Sequence, residues 1–344
     1  MQPVTSLVVQ FRGSYYEFGR YQAAQILKTN YVKKRMAMRA SIAQKFHADV
    51  AVVTGLLQQY APHLVDELKG LADGLQLPYE TIILYFGGYY ANQKSGCSIV
   101  LQENFLVRNY DQEPSTYDGR YVLFQPNNGG YASIGPSMQI VGRTDGMNEH
   151  GLVIGYNFVN SRMHGDGFVC NMIARIVLES CKTTSDAIHL LQQIPHKHAF
   201  NYCVVDANGH KAVIEASSRH TAIRDAIVCA NHFETLQAEN RYTMADSLRR
   251  VEIMTDVAKD APSVMEAYSL LNSSDAGIFA KKYSAWDGTI HTATYEPQKL
   301  FTAISFGSNR MPMPFNFKKW VQGENIPISK LKGVLQAKNP FAMQ

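Results

Sequence analysis

The tetrapeptide Ser95-Gly96-Cys97-Ser98 marks the point at which the sequence pattern of this 344-residue chain changes. Before it, residues 14–85 carry apolar side chains at the spacing typical of successive helices. After it, residues 97–101 and 105–109 begin a series of short runs with alternating apolar side chains, which predict strands joined by polar turns. We therefore expect a helical N-terminal third followed by a β-rich remainder.

The remainder alternates between groups of strands and pairs of helices. Strands are predicted at residues 6–11, 97–101, 105–109, 121–125, 131–134, 138–142, 151–158, 199–206, 211–217, 226–230, 289–295 and 299–305. Helices are predicted at residues 169–179, 185–193 (with Thr184 or Ser185 as the N-cap), 246–256 and 263–272. Residues 145–150, which end on His150, are expected to form an exposed polar turn. This order favours a layered αββα packing over alternating βαβ units.

Composition narrows the class of protein. Hydrophobic residues make up 46% of the chain and charged residues 18%, which predicts a globular protein with a large core, of one α/β domain or two smaller ones. The net charge of +4 is too small to indicate a nucleic-acid partner. The N-terminus lacks the basic region of a signal peptide, and no apolar run approaches the roughly 18 residues of a membrane span. We expect a cytoplasmic protein without a membrane partner.

The five cysteines are candidates for different roles. They are Cys97, Cys170, Cys181, Cys203 and Cys229, and their spacing fits neither a CxxC pair nor a metal finger, so no metal site is expected. An odd number leaves at least one thiol unpaired, as a reducing compartment allows. The last four are interpreted as small buried hydrophobes.

Cys97 differs because polar residues follow it at predicted strand ends. Arg108 and Asp111 come at the end of the next strand, so a hairpin would return both to the cysteine. Asn157 and Asn231 also lie at strand ends, where polar side chains can converge on one site. The alternatives are a structural Arg108–Asp111 salt bridge, and a capping or turn role for either asparagine. His232, beside Asn231, is interpreted as a packing or orienting residue.

Several motifs resemble two related enzyme families. The stretch Asp145-Gly146-Met147-Asn148-Glu149-His150-Gly151-Leu152, with Tyr156-Asn157-Phe158 and Arg108-x-x-Asp111, resembles the choloylglycine hydrolases. The Gly96-Cys97 junction, the segment Gly13-Ser14-Tyr15-Tyr16-Glu17-Phe18-Gly19 and the tripeptide Ala230-Asn231-His232 are closer to the acyl-coenzyme A:isopenicillin N acyltransferase family, peptidase family C45. The resemblance runs from Gly13 to about residue 305. It implies an α+β, four-layer αββα N-terminal-nucleophile (Ntn) hydrolase sandwich.

The resemblance also implies a mechanism. The precursor would cleave its own Gly96–Cys97 bond, leaving residues 1–96 as a helical prosegment and residues 97–344 as the catalytic part of a heterodimer. The new α-amine of Cys97, whose ordinary pKa is about 7.7–8.0, would serve as general base for the thiol. Asp111 would hold the α-ammonium or orient the thiol, and Arg108 would lower the thiol pKa or hold Asp111. Asn231 and Asn157 would donate side-chain N–H groups to the oxyanion.

Other positions carry weaker expectations. Ser217 falls where the acyltransferase has a serine, and is equally consistent with a strand-end hydroxyl. Tyr85 and Phe86, with Tyr89 and Tyr90, form an aromatic cluster that could line an acyl pocket or pack in the core. The family's late Ser-Arg pair aligns with Ala285-Trp286. Arg249 or Arg250 could replace that arginine, or both could face solvent.

The predicted function is that of an autoprocessed cysteine hydrolase or acyltransferase. It would act on the linear amide bond of a small N-acyl compound, with water, an amine or an acyl-coenzyme A as a further reactant and no cofactor. A homo-oligomer is compatible with this prediction. One alternative is a non-catalytic binding protein in which Cys97 is merely buried. The other is a papain-like peptidase, which would need a histidine base paired to the cysteine.

Overall fold

The structure is a computed structural model that describes residues 1–43, 49–89, 96–162, 164–283 and 288–344. Its strands are β1 (Gln2–Gly13), β2 (Cys97–Gln102), β3 (Phe105–Gln112), β4 (Arg120–Pro126), β5 (Ser133–Met138), β6 (Gly142–Arg143), β7 (Asp145–Asn148), β8 (Val153–Phe158), β9 (Phe200–Val205), β10 (Lys211–Ala216), β11 (Thr221–Arg224), β12 (Val228–Cys229), β13 (Gly288–Glu296), β14 (Phe301–Phe306), β15 (Met313–Asn316) and β16 (Lys330–Leu335). Its helices are α1 (Tyr15–Ile26), α2 (Tyr31–Ala43), α3 (Val50–Tyr60), α4 (Pro62–Leu75), α5 (Tyr79–Phe86), α6 (Cys170–Ser180), α7 (Thr184–Gln193), α8 (Ala245–Ala258), α9 (Val264–Asn272) and α10 (Phe317–Val321).

The strands form two sheets. The larger has the order β11-β10-β9-β8-β7-β5-β4-β1-β16, with β6 paired to β5. The smaller has the order β12-β2-β3-β13-β14-β15. Neighbouring strands pair antiparallel, except that β1 runs parallel to β4.

The two sheets face each other, and helices cover both outer faces. Helices α6 and α7 pack on the larger sheet, and α8 and α9 pack on the smaller one. The side chains of β2 illustrate these two environments, because successive residues of a strand point to opposite faces of the sheet. Ile99 and Leu101 belong to the core between the sheets, whereas Val100 packs with Met254 and Leu271 of the outer helices. The α+β, four-layer αββα arrangement predicted from the sequence is confirmed.

The N-terminal third is helical, as predicted, but it begins with a strand inside the larger sheet. Helices α1 to α5 lie within residues 15–43 and 50–86, and β1 lies between β4 and β16. The strand predicted at residues 6–11 therefore extends over Gln2–Gly13. The described residues of the segment 1–96 therefore contribute a strand to the larger sheet as well as helices beside it.

One predicted strand is wrong. Met138 ends β5 and Gly142 begins β6, and the chain turns between them, where Gln139 and Ile140 have φ angles of 58° and 71°. The Asp118 carboxylate accepts the backbone N–H groups of both residues, at 3.0 and 2.7 Å, and so holds the turn. A carboxylate from outside the segment thus overrides the local apolar pattern.

Other boundaries differ from expectation. Residues 145–150 were expected as a turn, but Asp145–Asn148 form β7, which pairs with β5 and β8. Thr183, rather than Thr184 or Ser185, caps α7, since its side chain accepts the Asp186 N–H. Of residues 226–230, only Val228–Cys229 pair as a strand. Within the described part of the chain, no helix is long and apolar enough to cross a membrane.

Candidate active site

Cys97 lies at the start of β2 and is fully buried. The hairpin of β2 and β3 pairs Cys97 with Tyr110 and Ile99 with Arg108. This register brings the Arg108 side chain back to the cysteine, and its Nη2 lies 3.2 Å from Cys97 Sγ. The contact predicted from the hairpin is therefore present, and it places a guanidinium beside the thiol.

Arg108 pairs with Asp145 and not with Asp111. Its Nη1 lies 2.7 Å from Asp145 Oδ1, and both side chains are fully buried. Arg108 Nη2 also donates to the backbone carbonyl of Tyr156. Arg108 and Asp111 are three residues apart on a strand, so their side chains point to opposite faces of the sheet. That alternation was visible in the sequence, and it excludes the direct pair that we considered.

Charge balance keeps Arg108 and Asp145 ionised. Burial alone would lower the pKa of Arg108, but the neighbouring Cys97 and Asp145 raise it above its ordinary value. Burial alone would raise the pKa of Asp145, but His291 and Arg108 hold it below its ordinary value. Asp145 also accepts hydrogen bonds from the hydroxyls of Thr144 and Tyr295, each at 2.7 Å. A cation fixed in this way favours the thiolate form of an adjacent cysteine.

Asp111 lies at the Gly96–Cys97 junction on the other face of β3. Its backbone N–H donates to the Gly96 carbonyl at 2.8 Å. The Thr289 hydroxyl donates to Asp111 Oδ1 at 2.6 Å, and Oδ2 would lie 3.2 Å from a Cβ placed on Gly96. Burial raises the pKa of Asp111 to about 6, an increase that Arg250 and Thr289 limit.

Asn231 turns its carbonyl oxygen toward Cys97. Asn231 Oδ1 accepts the Cys97 backbone N–H at 3.0 Å, and Asn231 Nδ2 donates to the Phe158 carbonyl at 2.9 Å. The Asn231 backbone N–H donates to Ser247 Oγ at 2.8 Å. The side chain expected to donate to an oxyanion thus presents an acceptor to the Cys97 backbone N–H.

Asn157 is buried on β8, where it supports the strand that leads to Asn231. Its Nδ2 donates to the Cys229 carbonyl at 3.0 Å. Asn201 of β9 acts similarly, with Nδ2 at 2.9 Å from the His232 carbonyl. These amides join two interior strands of the larger sheet to the segment carrying Asn231.

Arg250 of α8 reaches the same residues from the outer side. Its Nη1 donates to the Cys97 carbonyl and to Ser98 Oγ, each at 2.7 Å. Its Nη2 donates to Asn231 Oδ1 at 2.8 Å. The neighbouring Arg249 is exposed and bonds Asp246. The sequence did not distinguish between these two arginines. Of the two, it is Arg250 that contacts Cys97 in the structure.

The weaker candidates are engaged elsewhere. The Ser217 hydroxyl accepts the N–H groups of Arg219 and His220 within its own turn, at 3.1 and 3.0 Å. Phe86 is buried beneath the Arg35 guanidinium, and the Tyr85 carbonyl accepts from Arg35 Nε at 2.9 Å.

Of the other predicted positions, two histidines lie among the described residues and four residues do not. His232 Nδ1 lies 2.8 Å from Ser247 Oγ, as an orienting residue would, and His150 is exposed. Tyr90, Ser95, Ala285 and Trp286 lie outside the described residues. Among the residues that the structure describes, no group of three or more His, Cys, Asp or Glu side chains is arranged to hold a metal ion.

The sequence of this chain matches a described protein family. The model of the acyl-coenzyme A:6-aminopenicillanic acid acyl-transferase family matches residues 100–311, more than half of the chain. A comparison with curated proteins found no match.

Solved structures with a similar arrangement are remote in sequence. Penicillin V acylase from Agrobacterium tumefaciens is 15% identical, covers 65% of this chain and 86% of its own, and has a TM-score of 0.48. A mutant conjugated bile acid hydrolase from Clostridium perfringens is 14% identical, covers 70% and 98%, and has a TM-score of 0.44. An N-acylethanolamine-hydrolyzing acid amidase ortholog from Caenorhabditis elegans is 12% identical, covers 59% and 93%, and has a TM-score of 0.41.

The family match and the αββα sandwich agree with the resemblance that the sequence motifs indicated. The chain belongs to the acyl-coenzyme A:6-aminopenicillanic acid acyl-transferase family, and it is an amide hydrolase or acyltransferase.

Proposed function

We propose that Cys97 is the nucleophile of this enzyme and that self-cleavage of the Gly96–Cys97 bond makes it an N-terminal residue. The observation that carries the proposal is the position of Cys97 directly after Gly96, with Arg108 Nη2 at 3.2 Å from its sulfur. Its backbone nitrogen, the atom that would become the α-amine, is held by Asn231 Oδ1 at 3.0 Å.

Self-cleavage would begin with attack of Cys97 Sγ on the carbonyl carbon of Gly96. A C–S bond forms, the C–N bond to Cys97 breaks, and the nitrogen takes the thiol proton. Water then hydrolyses the thioester, which gives a Gly96 carboxylate and restores the thiol. The Asp111 backbone nitrogen lies 2.8 Å from the Gly96 oxygen. Its N–H group supports this step because it would stabilise the negative charge that develops on that oxygen.

Turnover of a substrate would use the same sulfur. The neutral α-amine accepts the thiol proton while one of its N–H groups donates to Asn231 Oδ1. The thiolate attacks the substrate amide carbon, the leaving amine takes the proton, and an acyl-thioester remains. Water completes hydrolysis, and an acceptor amine completes acyl transfer. Arg108 supports the step because its charge stabilises the thiolate.

The proposed substrate is a small N-acyl compound with a linear amide bond. In the acyl-transfer direction, an acyl-coenzyme A would load the thiol by the same thioester chemistry, as the family description suggests. A panel of N-acylated amino acids and of phenylacetyl- and phenoxyacetyl-amides, assayed by released amine, would identify the acyl group.

Intact-mass measurement of the purified protein tests the proposal. We expect fragments of residues 1–96 and 97–344 for the wild type, a single uncleaved species for Cys97→Ala, and no amidase activity for that variant. Cys181→Ala is the matched control, because Cys181 is equally buried but lies at the end of α6. It should cleave like the wild type.

An uncleaved wild-type protein, or amidase activity in Cys97→Ala, would contradict the proposal. Slow reaction of Cys97 with a thiol reagent in an uncleaved protein would favour the binding-protein alternative.

A further inference from the structure

Three buried arginines meet at the turn between β5 and β6. Arg120 of β4, Arg143 of β6 and Arg175 of α6 are each 0% exposed. Each donates through Nη1 to a backbone carbonyl of residues 140–142, at 3.4, 3.1 and 2.8 Å respectively. A guanidinium is almost never fully buried in a protein unless an anion pairs with it.

Arg175 has carboxylate partners, whereas Arg120 and Arg143 lack them. Arg175 forms ion pairs with Glu67 and Glu179. Within the described part of the chain, the Nε and Nη2 atoms of both Arg120 and Arg143 have no hydrogen-bond acceptor. The groups that accept from their Nη1 atoms are backbone carbonyls and the Gln22 amide, which carry no charge. Each of these two arginines therefore leaves one edge of its guanidinium unpaired in the interior.

The Asp118 carboxylate cannot pair with that edge because its oxygens are already occupied. Oδ1 accepts from the Tyr31 hydroxyl and the Gln139 N–H, and Oδ2 accepts from the Ser137 hydroxyl and the Ile140 N–H, at 2.7 to 3.0 Å. An ionised carboxylate offers about four lone-pair sites, and all of them are used here.

The electrostatics of the cluster are unfavourable without a further negative charge. Burial lowers the pKa of both Arg120 and Arg143, and the neighbouring Arg175 and Arg120 lower the pKa of Arg143 further. A guanidinium nevertheless keeps its proton in a protein, so both charges have to be compensated where they lie. Water can accept the free N–H groups, but only an anion also supplies charge.

We propose that a small monovalent anion of the halide class, such as chloride, binds between the Nε–Nη2 edges of Arg120 and Arg143. A halide accepts N–H groups from several directions, and it loses its hydration at a lower cost than a sulfate or a phosphate does. Arg120 Nη1 also lies 3.1 Å from Gln22 Oε1 of α1, so the site adjoins the N-terminal helices. The proposal does not depend on self-cleavage or on the role of Cys97.

The anion would stabilise the folded protein specifically. Arg120 and Arg143 come from different strands, and the turn that brings them together exists only after folding. A ligand that binds the folded state and not the unfolded state raises stability as its concentration rises.

Thermal unfolding of the Cys97→Ala protein over a series of chloride concentrations tests the proposal. Gluconate, which is too bulky for the site, replaces chloride so that the ionic strength stays constant. Tm should rise by about 2 °C for each tenfold increase in chloride once the site is saturated. Equal Tm values across the series would overturn the proposal and leave water as the acceptor.

Two variants in the same background locate the effect. Arg143→Met should lose the chloride dependence of Tm, because it removes the charge and the donors but keeps an unbranched side chain. Arg249→Met, which removes an exposed arginine on α8, is the matched control and should keep the dependence. A chloride dependence that persists in Arg143→Met would place the anion elsewhere and overturn the proposal.

A crystallographic measurement decides the matter if Arg143→Met does not fold. Crystals of the Cys97→Ala protein, purified and grown with bromide in place of chloride, are measured at the bromine absorption edge. We expect an anomalous peak between the guanidinium edges of Arg120 and Arg143. Density at that position without an anomalous peak would identify water and overturn the proposal.

Discussion

At the scale of single residues, Cys97 and Asp111 sit in opposite electrostatic surroundings although they are close along the hairpin. Cys97 shares the inner face of the smaller sheet with Arg108, a fully buried cation. Asp111 points to the outer face, where burial outweighs the partial compensation from Arg250 and Thr289. The thiol therefore lies beside a fixed positive charge, whereas burial makes the carboxyl hold its proton to a higher pH.

The raised pKa of Asp111 predicts a pH effect on folding stability. The folded value of about 6 lies above the ordinary 3.8, so the folded state binds the proton more tightly than the unfolded state. The Asp111 contribution to the free energy of unfolding is therefore fully present below pH 3.8 and decreases as the pH rises to about 6. The total decrease is at most about 3 kcal/mol.

Urea unfolding of the Cys97→Ala protein with and without Asp111→Asn, at several pH values, measures this contribution. The Cys97→Ala background keeps the chain in one piece. The difference between the two proteins should change with pH between about 4 and 6. If the difference in free energy of unfolding stays constant over this pH range, the pKa of Asp111 is not raised in the folded protein.

At the scale of elements, the N-terminal third depends on one close helix contact. Helices α1 and α4 approach through glycines, since a Cβ at Gly19 would lie 2.0 Å from the Glu67 carbonyl oxygen and one at Gly70 would lie 2.0 Å from the Tyr16 carbonyl oxygen. No real side chain tolerates such a distance, so any larger residue would push the helices apart.

Gly19→Ala should therefore destabilise the protein by about 1–3 kcal/mol, the usual cost of overpacking a core. Gly55→Ala is the matched control, because Gly55 lies inside α3 and a Cβ there would meet no atom within 4 Å. That substitution should stabilise the helix by about 0.5–1 kcal/mol. Thermal unfolding of both variants in the Cys97→Ala background measures the change in stability that each substitution causes. A change in the same direction for both variants would contradict the packing argument.

At the scale of the whole molecule, the described part of residues 1–96 is tied to the rest of the chain by a shared sheet and by buried polar contacts. Strand β1 lies between β4 and β16 in the larger sheet. Glu67 of α4 accepts a hydrogen bond from Arg175 of α6 at 2.6 Å, and both side chains are fully buried. Gln22 of α1 donates to the same carboxylate at 2.6 Å.

These contacts predict that the fragments 1–96 and 97–344 stay together after the proposed self-cleavage. Size-exclusion chromatography of the processed protein should show one species containing both fragments.

Glu67→Ala should lower the free energy of unfolding by about 3–5 kcal/mol, because it leaves Arg175 buried with less compensation. Asp66→Asn, which removes only a pair with Lys69 between half-exposed side chains, should change it by less than about 1 kcal/mol. If the wild-type fragments separate without denaturant, the prediction that they stay together is wrong.

Much of the architecture followed from local pattern. The change of apolar period at Gly96–Cys97 predicted helices on one side and strands on the other, because side-chain periodicity reflects which face is buried. The β2–β3 hairpin also followed from sequence, and with it the return of Arg108 to Cys97. The turn at Gln139 and Ile140 did not, because it depends on Asp118, which lies outside that segment.

The amino-acid sequence by itself determined the layered αββα architecture, the family and the identity of the cysteine that begins the first strand after the helices. Only the tertiary structure decided which charges meet there. Asp145 partners Arg108 because β7 lies in the facing sheet, and Arg250 is selected over Arg249 because one face of α8 packs against β2 and β12. Such pairings depend on the relative placement of elements distant in sequence, and no local period specifies that placement.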